Sequence, residues 1–174
     1  MKTPSFSLIE LLITLALVVL LVAFTVPRTT FFARFIVQAE INKMYAICSY
    51  LQQRALAAND AQELQLDLTS NTYRFANLQG KQTTQRLHDQ VRFGVLPQAS
   101  GPPGKPTASL TNASTFPEEN GVPCIQFMTN GKITSGTVYF IDRSKKCLGA
   151  LTCAVSQVSY MRRYIYDNHQ WVVW

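Results

Sequence analysis

The chain has 174 residues, two histidines, four cysteines and a formal charge of +6, a size that suits one modest domain with an added element. The mildly basic balance permits contact with anionic surfaces such as nucleic acid or lipid head groups without requiring it. None of the four cysteines forms a C-x-x-C pair, which removes support for a zinc knuckle or a thioredoxin-like motif.

Residues 6–26 form a 21-residue apolar run interrupted by one acid, Glu10. As a helix it is about 30 Å long, the thickness of a bilayer core. Pro27 follows and would end or kink that helix. The run is too long for a secretory signal peptide, and Ala23-Phe24-Thr25 is a poor match to its cleavage site, so it reads as a retained membrane anchor. A carboxylate inside hydrocarbon costs about 3 kcal/mol, which makes Glu10 a functional candidate. No cation lies near it in the sequence. A cut between Ser5 and Phe6 would create an α-amino group near that depth, and in a stack of staggered helices it could meet a neighbour's Glu10. The competing reading is an acid snorkelling at the membrane face.

The segment Ser5-Phe6-Ser7-Leu8-Ile9-Glu10-Leu11-Leu12 resembles the class III prepilin signal of type IV pilins and type II secretion pseudopilins, usually Gly-Phe-Thr-Leu-Ile-Glu-Leu. Ser5 stands where the family has glycine. The resemblance implies a leader over residues 1–5, carrying Lys2, that prepilin peptidase removes. It further implies N-methylation of Phe6 and Glu10 as the assembly carboxylate. Other pilin or pseudopilin subunits and the inner membrane are the implied partners. The implied location is a single-pass anchor with the following domain in the periplasm or outside the cell, assembled in a pilus or pseudopilus. Lys2 against Arg28 and Arg34 does not by itself favour that orientation; the resemblance does.

Beyond Pro27, Val37, Ile41, Met44, Cys48, Leu51 and Ala55 recur at spacings of three and four, the stripe of an amphipathic helix that stops at Asn59-Asp60. Residues 6–58 are thus expected to form one long, gently bent helix. Its first half (6–26) would span the membrane and its outer half (27–58) would lay the stripe on a sheet. Cys48, on the stripe, would face the core, and a bond to Cys124 is an open option.

From Glu63 the period changes to two. Leu64–Leu68 and Thr72–Phe75 read as a hairpin around Ser70-Asn71, with a weak strand at Val91–Val95. Residues 97–121 are irregular and rich in proline and glycine, a surface loop or a functional segment. Further strands are expected at Cys124–Met128, Thr137–Ile141, Cys153–Tyr160, Arg163–Tyr166 and Gln170–Trp174. A polar loop is expected at Asp142–Gly149, where Cys147 and Cys153 would form a local clip. The fold expected is α+β and pilin-like, with the long helix packed on an antiparallel sheet or sandwich over residues 60–174. Ile125-Gln126-Phe127, Asn130-Gly131 and Gly136–Ile141, with paired arginines in a later strand, resemble the GspH/FimT group of minor pseudopilins and minor pilins. That group's Gly-Arg-x-Arg stretch reads Met161-Arg162-Arg163-Tyr164 here.

The resemblance implies a structural subunit of a type II secretion pseudopilus that supports protein secretion. The alternative is a minor type IV pilin acting in pilus assembly or DNA uptake. Arg162 and Arg163, with Arg143, Lys145 and Lys146, would then contact phosphates, and Tyr164 and Tyr166 would stack on bases. Ordinary solvated charge is the simpler account of those residues. His88 and His169 lie in unrelated polar surroundings without a nucleophile elbow or metal spacing, so neither catalysis nor a cofactor or metal is expected.

Overall fold

The computed structural model describes residues 7–25, 29–97, 99–101, 108–154, 160–167 and 169–174; within the helices, the side chains of 22–25 and 29–31 are not described. Ser5, Phe6, Pro27 and part of the 97–121 loop therefore lie outside the described residues. The chain divides into two compact units, Met1–Phe32 and Ala33–Trp174.

The helix expected over 6–58 is described as two helices, α1 (Leu8–Thr25) and α2 (Thr29–Ala58). Pro27, between them in sequence, has no N–H to give a helical carbonyl. α1 begins with a capping box. The Ser7 hydroxyl accepts from the Ile9 N–H (3.3 Å), and the Glu10 carboxylate accepts from the Ser7 N–H (3.2 Å). Eleven large apolar side chains between Leu8 and Leu21 are exposed on all sides of this helix. Among the described residues, no helix is long and apolar enough to cross a membrane; the 6–26 segment is only partly described.

α2 ends as its sequence predicts. Asn59 takes a left-handed conformation (φ 48°), and the Asp60 N–H reaches back to the Ala55 carbonyl, a Schellman closure. All six stripe residues, Val37 through Ala55, are buried to within 1% of complete.

Two five-stranded antiparallel sheets follow. The first has the order β3-β2-β1-β6-β5, from β1 (Gln62–Asp67), β2 (Thr72–Ala76), β3 (Gln82–Arg86), β5 (Glu118–Glu119) and β6 (Val122–Phe127). The second has the order β10-β9-β8-β7-β4, from β4 (Val91–Phe93), β7 (Gly136–Asp142), β8 (Leu148–Cys153), β9 (Arg162–Asp167) and β10 (Gln170–Val173). The α2 stripe shares one core with residues of both sheets, among them Leu64, Tyr73, Ile125, Phe140 and Leu151.

Three expectations need correction. A strand lies at Leu148–Cys153, within and beyond the stretch expected as a polar loop, so that loop shrinks to a turn, while residues 155–159 of the strand expected at Cys153–Tyr160 lie outside the described residues. The cause is a strand buried on both faces, which shows no alternation. Strands β3 and β5, unforeseen, have no buried face and carry no apolar signal. The 97–121 stretch is no free surface loop where it is described. Phe116 is buried in the main core, and Ala99 and Leu110 pack with Tyr139, Tyr164 and Trp171 on the second sheet's other face. The Trp171 indole N–H donates to the carbonyls of Ser100 (3.2 Å) and Gly101 (2.6 Å).

Candidate functional site

Glu10 is exposed on α1, and its carboxylate is held by the helix's own first turn. The Ser7-x-x-Glu10 spacing already carries this cap signal in the sequence, beside the charge argument for Glu10. Capping does not use up the carboxylate, which has about four acceptor positions. The partner amine expected at Phe6 lies outside the described residues.

Arg162 and Arg163 are adjacent on β9, so strand geometry sends their side chains to opposite faces. Arg163 turns toward α2. Its guanidinium donates to Asn42 Oδ1 (2.6 Å) and lies 4.6 Å from the Tyr45 ring centre and 4.8 Å from that of Trp174. Arg162 is on the solvent side, donating to the Tyr160 hydroxyl (2.9 Å) over that ring. The two do not form a joint phosphate clamp. Tyr164 is buried, and the Tyr166 hydroxyl lies 3.2 Å from both the Ser100 N–H and its hydroxyl. The expected stacking pair is thus committed to packing Val95, Leu96, Ala99 and Leu110. Arg143, Lys145 and Lys146 are exposed on the β7–β8 turn. That turn is organised by the buried Asp142 carboxylate, which accepts from the backbone N–H groups of Ser144 (3.0 Å), Lys146 (2.7 Å) and Cys147 (2.6 Å) and from the Ser144 hydroxyl.

Sequence reasoning missed a second basic group. Arg86, His88, Arg92 and Arg143 line one notch of about 150 Å³, with Asp89 among them. Arg86, His88, Asp89 and Arg92 lie in one short run, and the pairing of β4 with β7 brings Arg143 of the β7–β8 turn to it.

The four cysteines are buried thiols, with no disulfide. The expected Cys147–Cys153 clip is excluded by β8 itself. The two residues bracket an extended strand and lie roughly 20 Å apart, three times the reach of a disulfide. Cys48 and Cys124 do not meet either. Cys48 is in the core, whereas Cys124 faces the other way, with its thiol within 4.8 Å of carboxylate oxygens of Glu63 and Glu119. Burial, then a hydrogen bond to Glu63, pushes the Cys124 thiol up and keeps it protonated. Each of these carboxylates also accepts an amide N–H, from Gln65 (2.5 Å) and Gln126 (2.6 Å). The trio offers one sulfur and two oxygens to a cation. The histidines are occupied locally: His88 Nδ1 accepts from the Gln90 N–H (3.2 Å), and His169 sits edge-on to Tyr166.

No protein-family model matches this chain, and no curated protein matches its sequence. Solved structures do resemble it, two of them of one protein. One is the minor pseudopilin EpsH from the type 2 secretion system of Vibrio cholerae, 8% identical, covering 79% of this chain and 95% of that one at a TM-score of 0.43. The second, a crystal structure also of EpsH from Vibrio cholerae, is 12% identical and covers 75% and 94% at a TM-score of 0.46. Both likenesses concern the backbone arrangement and not function.

Proposed function

We propose that this chain is a pilin-type assembly subunit, a minor component of a type II secretion pseudopilus that supports protein secretion. One observation carries the reading: α1 exposes large apolar side chains on every side, from Leu8 to Leu21. A fully buried Leu, Ile or Val contributes about 1.5–3 kcal/mol. Eleven such side chains, each already partly covered, therefore gain on the order of 10–20 kcal/mol from an apolar medium. The one carboxylate costs about 3 kcal/mol there, so apolar transfer wins. With the flanking residues of the 6–26 run, the sequence reaches bilayer thickness.

In this reading prepilin peptidase cuts between Ser5 and Phe6, Phe6 is N-methylated, and its amine meets a neighbouring subunit's Glu10. The Ala33–Trp174 unit lies in the periplasm or outside the cell. The DNA-uptake alternative keeps the exposed Arg162, Arg143, Lys145 and Lys146 but not Arg163, Tyr164 and Tyr166, which are engaged within the chain.

The test is Glu10→Leu in the full chain. The variant is expected to fractionate with membranes as the wild type does, yet fail to co-assemble into filaments. Normal assembly would remove the pairing argument. Intact-mass measurement of membrane-extracted protein is expected to give a methylated chain starting at Phe6. An unprocessed Met1 would overturn the cleavage step.

A further inference from the structure

We propose that Cys48 on α2 and Cys153 on β8 are a redox pair that closes into a disulfide, stapling the helix to the second sheet. The inference rests on the reading above only for its oxidising compartment. The geometry stands apart from it.

The helix and the strand run side by side, and their register can be followed level by level. At the first level Arg34 of α2 pairs with Asp167 (2.9 Å), which follows Tyr166, the strand partner of Leu148, and so lies beside Cys147 just before β8. At the second is Gly149: a Cβ built there would lie 2.3 Å from Ile41 Cδ1 and 3.1 Å from Val37 Cγ1. At the third is Leu151, whose strand partner Arg163 bonds Asn42 and covers the Tyr45 ring. Two residues of strand advance about 6.6 Å, and four to five residues of helix advance about the same. One further step leads from Leu151 to Cys153 and from the Asn42–Tyr45 level to Cys48.

Strand alternation places residues 147, 149, 151 and 153 on one side, the side facing α2. Cys48 and Cys153 are each 1% exposed and belong to the same core cluster. Cys48 also lies within electrostatic reach of Cys153: burial first, then Cys153, pushes the Cys48 thiol upward. Cys153 Sγ lies 3.7 Å from the Ile133 carbonyl oxygen, on the first sheet's side of the same core. The remaining cysteines are excluded as partners by place: Cys147 is at the Arg34 level, and Cys124 is on the outer face of β6.

The oxidant is a disulfide, carried by a small molecule or an oxidoreductase. One cysteine thiolate attacks it, forming a mixed disulfide and releasing one oxidant thiolate. The second cysteine thiolate then displaces the other oxidant sulfur, forming the Cys48–Cys153 bond. Two electrons and two protons pass to the oxidant, which leaves as two thiols. Both cysteines are buried once α2 has docked, so the exchange takes place before the helix closes on β8.

The experiment uses the full chain in two arms. In cells, thiols are alkylated under denaturing conditions at lysis, the protein is digested without reductant, and linked peptides are identified by mass. Protease added to spheroplasts reports independently whether the domain lies outside the cytoplasm. If it is outside, a Cys48–Cys153 linked peptide is expected, with Cys124 and Cys147 alkylated. Recovery of alkylated Cys48 and Cys153 from an exposed domain would overturn the proposal. If the domain is protected from protease, the export reading falls, and the second arm decides the pair. In that arm, detergent-solubilised, reduced and denatured protein is refolded with oxidised glutathione. The Cys48–Cys153 link is expected to dominate over every other pairing. A different dominant pair, or none, would overturn it. Natively folded, reduced protein is expected to oxidise at least tenfold more slowly than refolding protein.

Discussion

α1 and α2 are both helices in one chain, and they solve opposite problems. α1 is apolar all round, with no stripe to hide. α2 concentrates its apolar residues in one line, every member of which is buried among two sheets. Helical propensity does not distinguish the two; the angular distribution of apolar side chains does. A stripe suits a helix that packs on protein, and an apolar cylinder suits one whose surroundings are apolar on every side.

The comparison can be broken with one chemical change made at two places. Leu51→Ala in α2 is expected to cost about 3 kcal/mol, within the 2–5 kcal/mol range for large-to-small core changes, measured by urea unfolding. Gly149→Ala, directly beneath Ile41, is expected to cost about 1–2 kcal/mol by forcing α2 away from β8, with the same readout. Arg163→Ala removes a charged hydrogen bond and two ring contacts between β9, Tyr45 and Trp174. A loss of about 1–2 kcal/mol is expected, with Arg162→Ala near zero as its neighbour control.

Asp67 gives a smaller effect, confined to acid. Its carboxylate is held below the usual range by the Ser70 backbone N–H and hydroxyl and then by the Thr69 N–H. Its contribution is therefore complete above the unfolded carboxylate pKa of about 3.9 and is lost as the pH falls through the lower folded value. Asp67→Asn is expected to flatten that acid limb and leave the curve's shape near neutrality unchanged. The smallest effect sharpens the contrast. Leu15→Ala in α1 is expected to shift the unfolding of the Ala33–Trp174 unit by less than about 0.5 kcal/mol. A shift comparable to that of Leu51→Ala would mean that α1 is part of the same cooperative core.

Much of this fold was legible because apolar periodicity reports burial directly. The α2 stripe was read to the residue, and its end at Asn59-Asp60 is a left-handed cap that asparagine tolerates. β8 was misread because Leu148-Gly149-Ala150-Leu151 is buried on both faces and so lacks alternation. β3 and β5 are edge strands held by backbone bonds, with polar side chains on both faces. At the candidate sites, the separation of Arg162 from Arg163 follows from strand period and could have been read in advance. So could the Ser7–Glu10 capping box. The joining of Arg143 to the Arg86–Arg92 run and the Cys48–Cys153 pairing could not, because each depends on how separate elements register in space.

The level-by-level register of α2 against β8 also has a mechanical meaning. Contacts stacked along two parallel rods share a pull directed along the rods, so tension on α2 along its axis must shear all levels together. A pull across the axis peels them one after another. The Ala33–Trp174 unit is therefore built to bear load in one direction, along the helix, and to yield in the other.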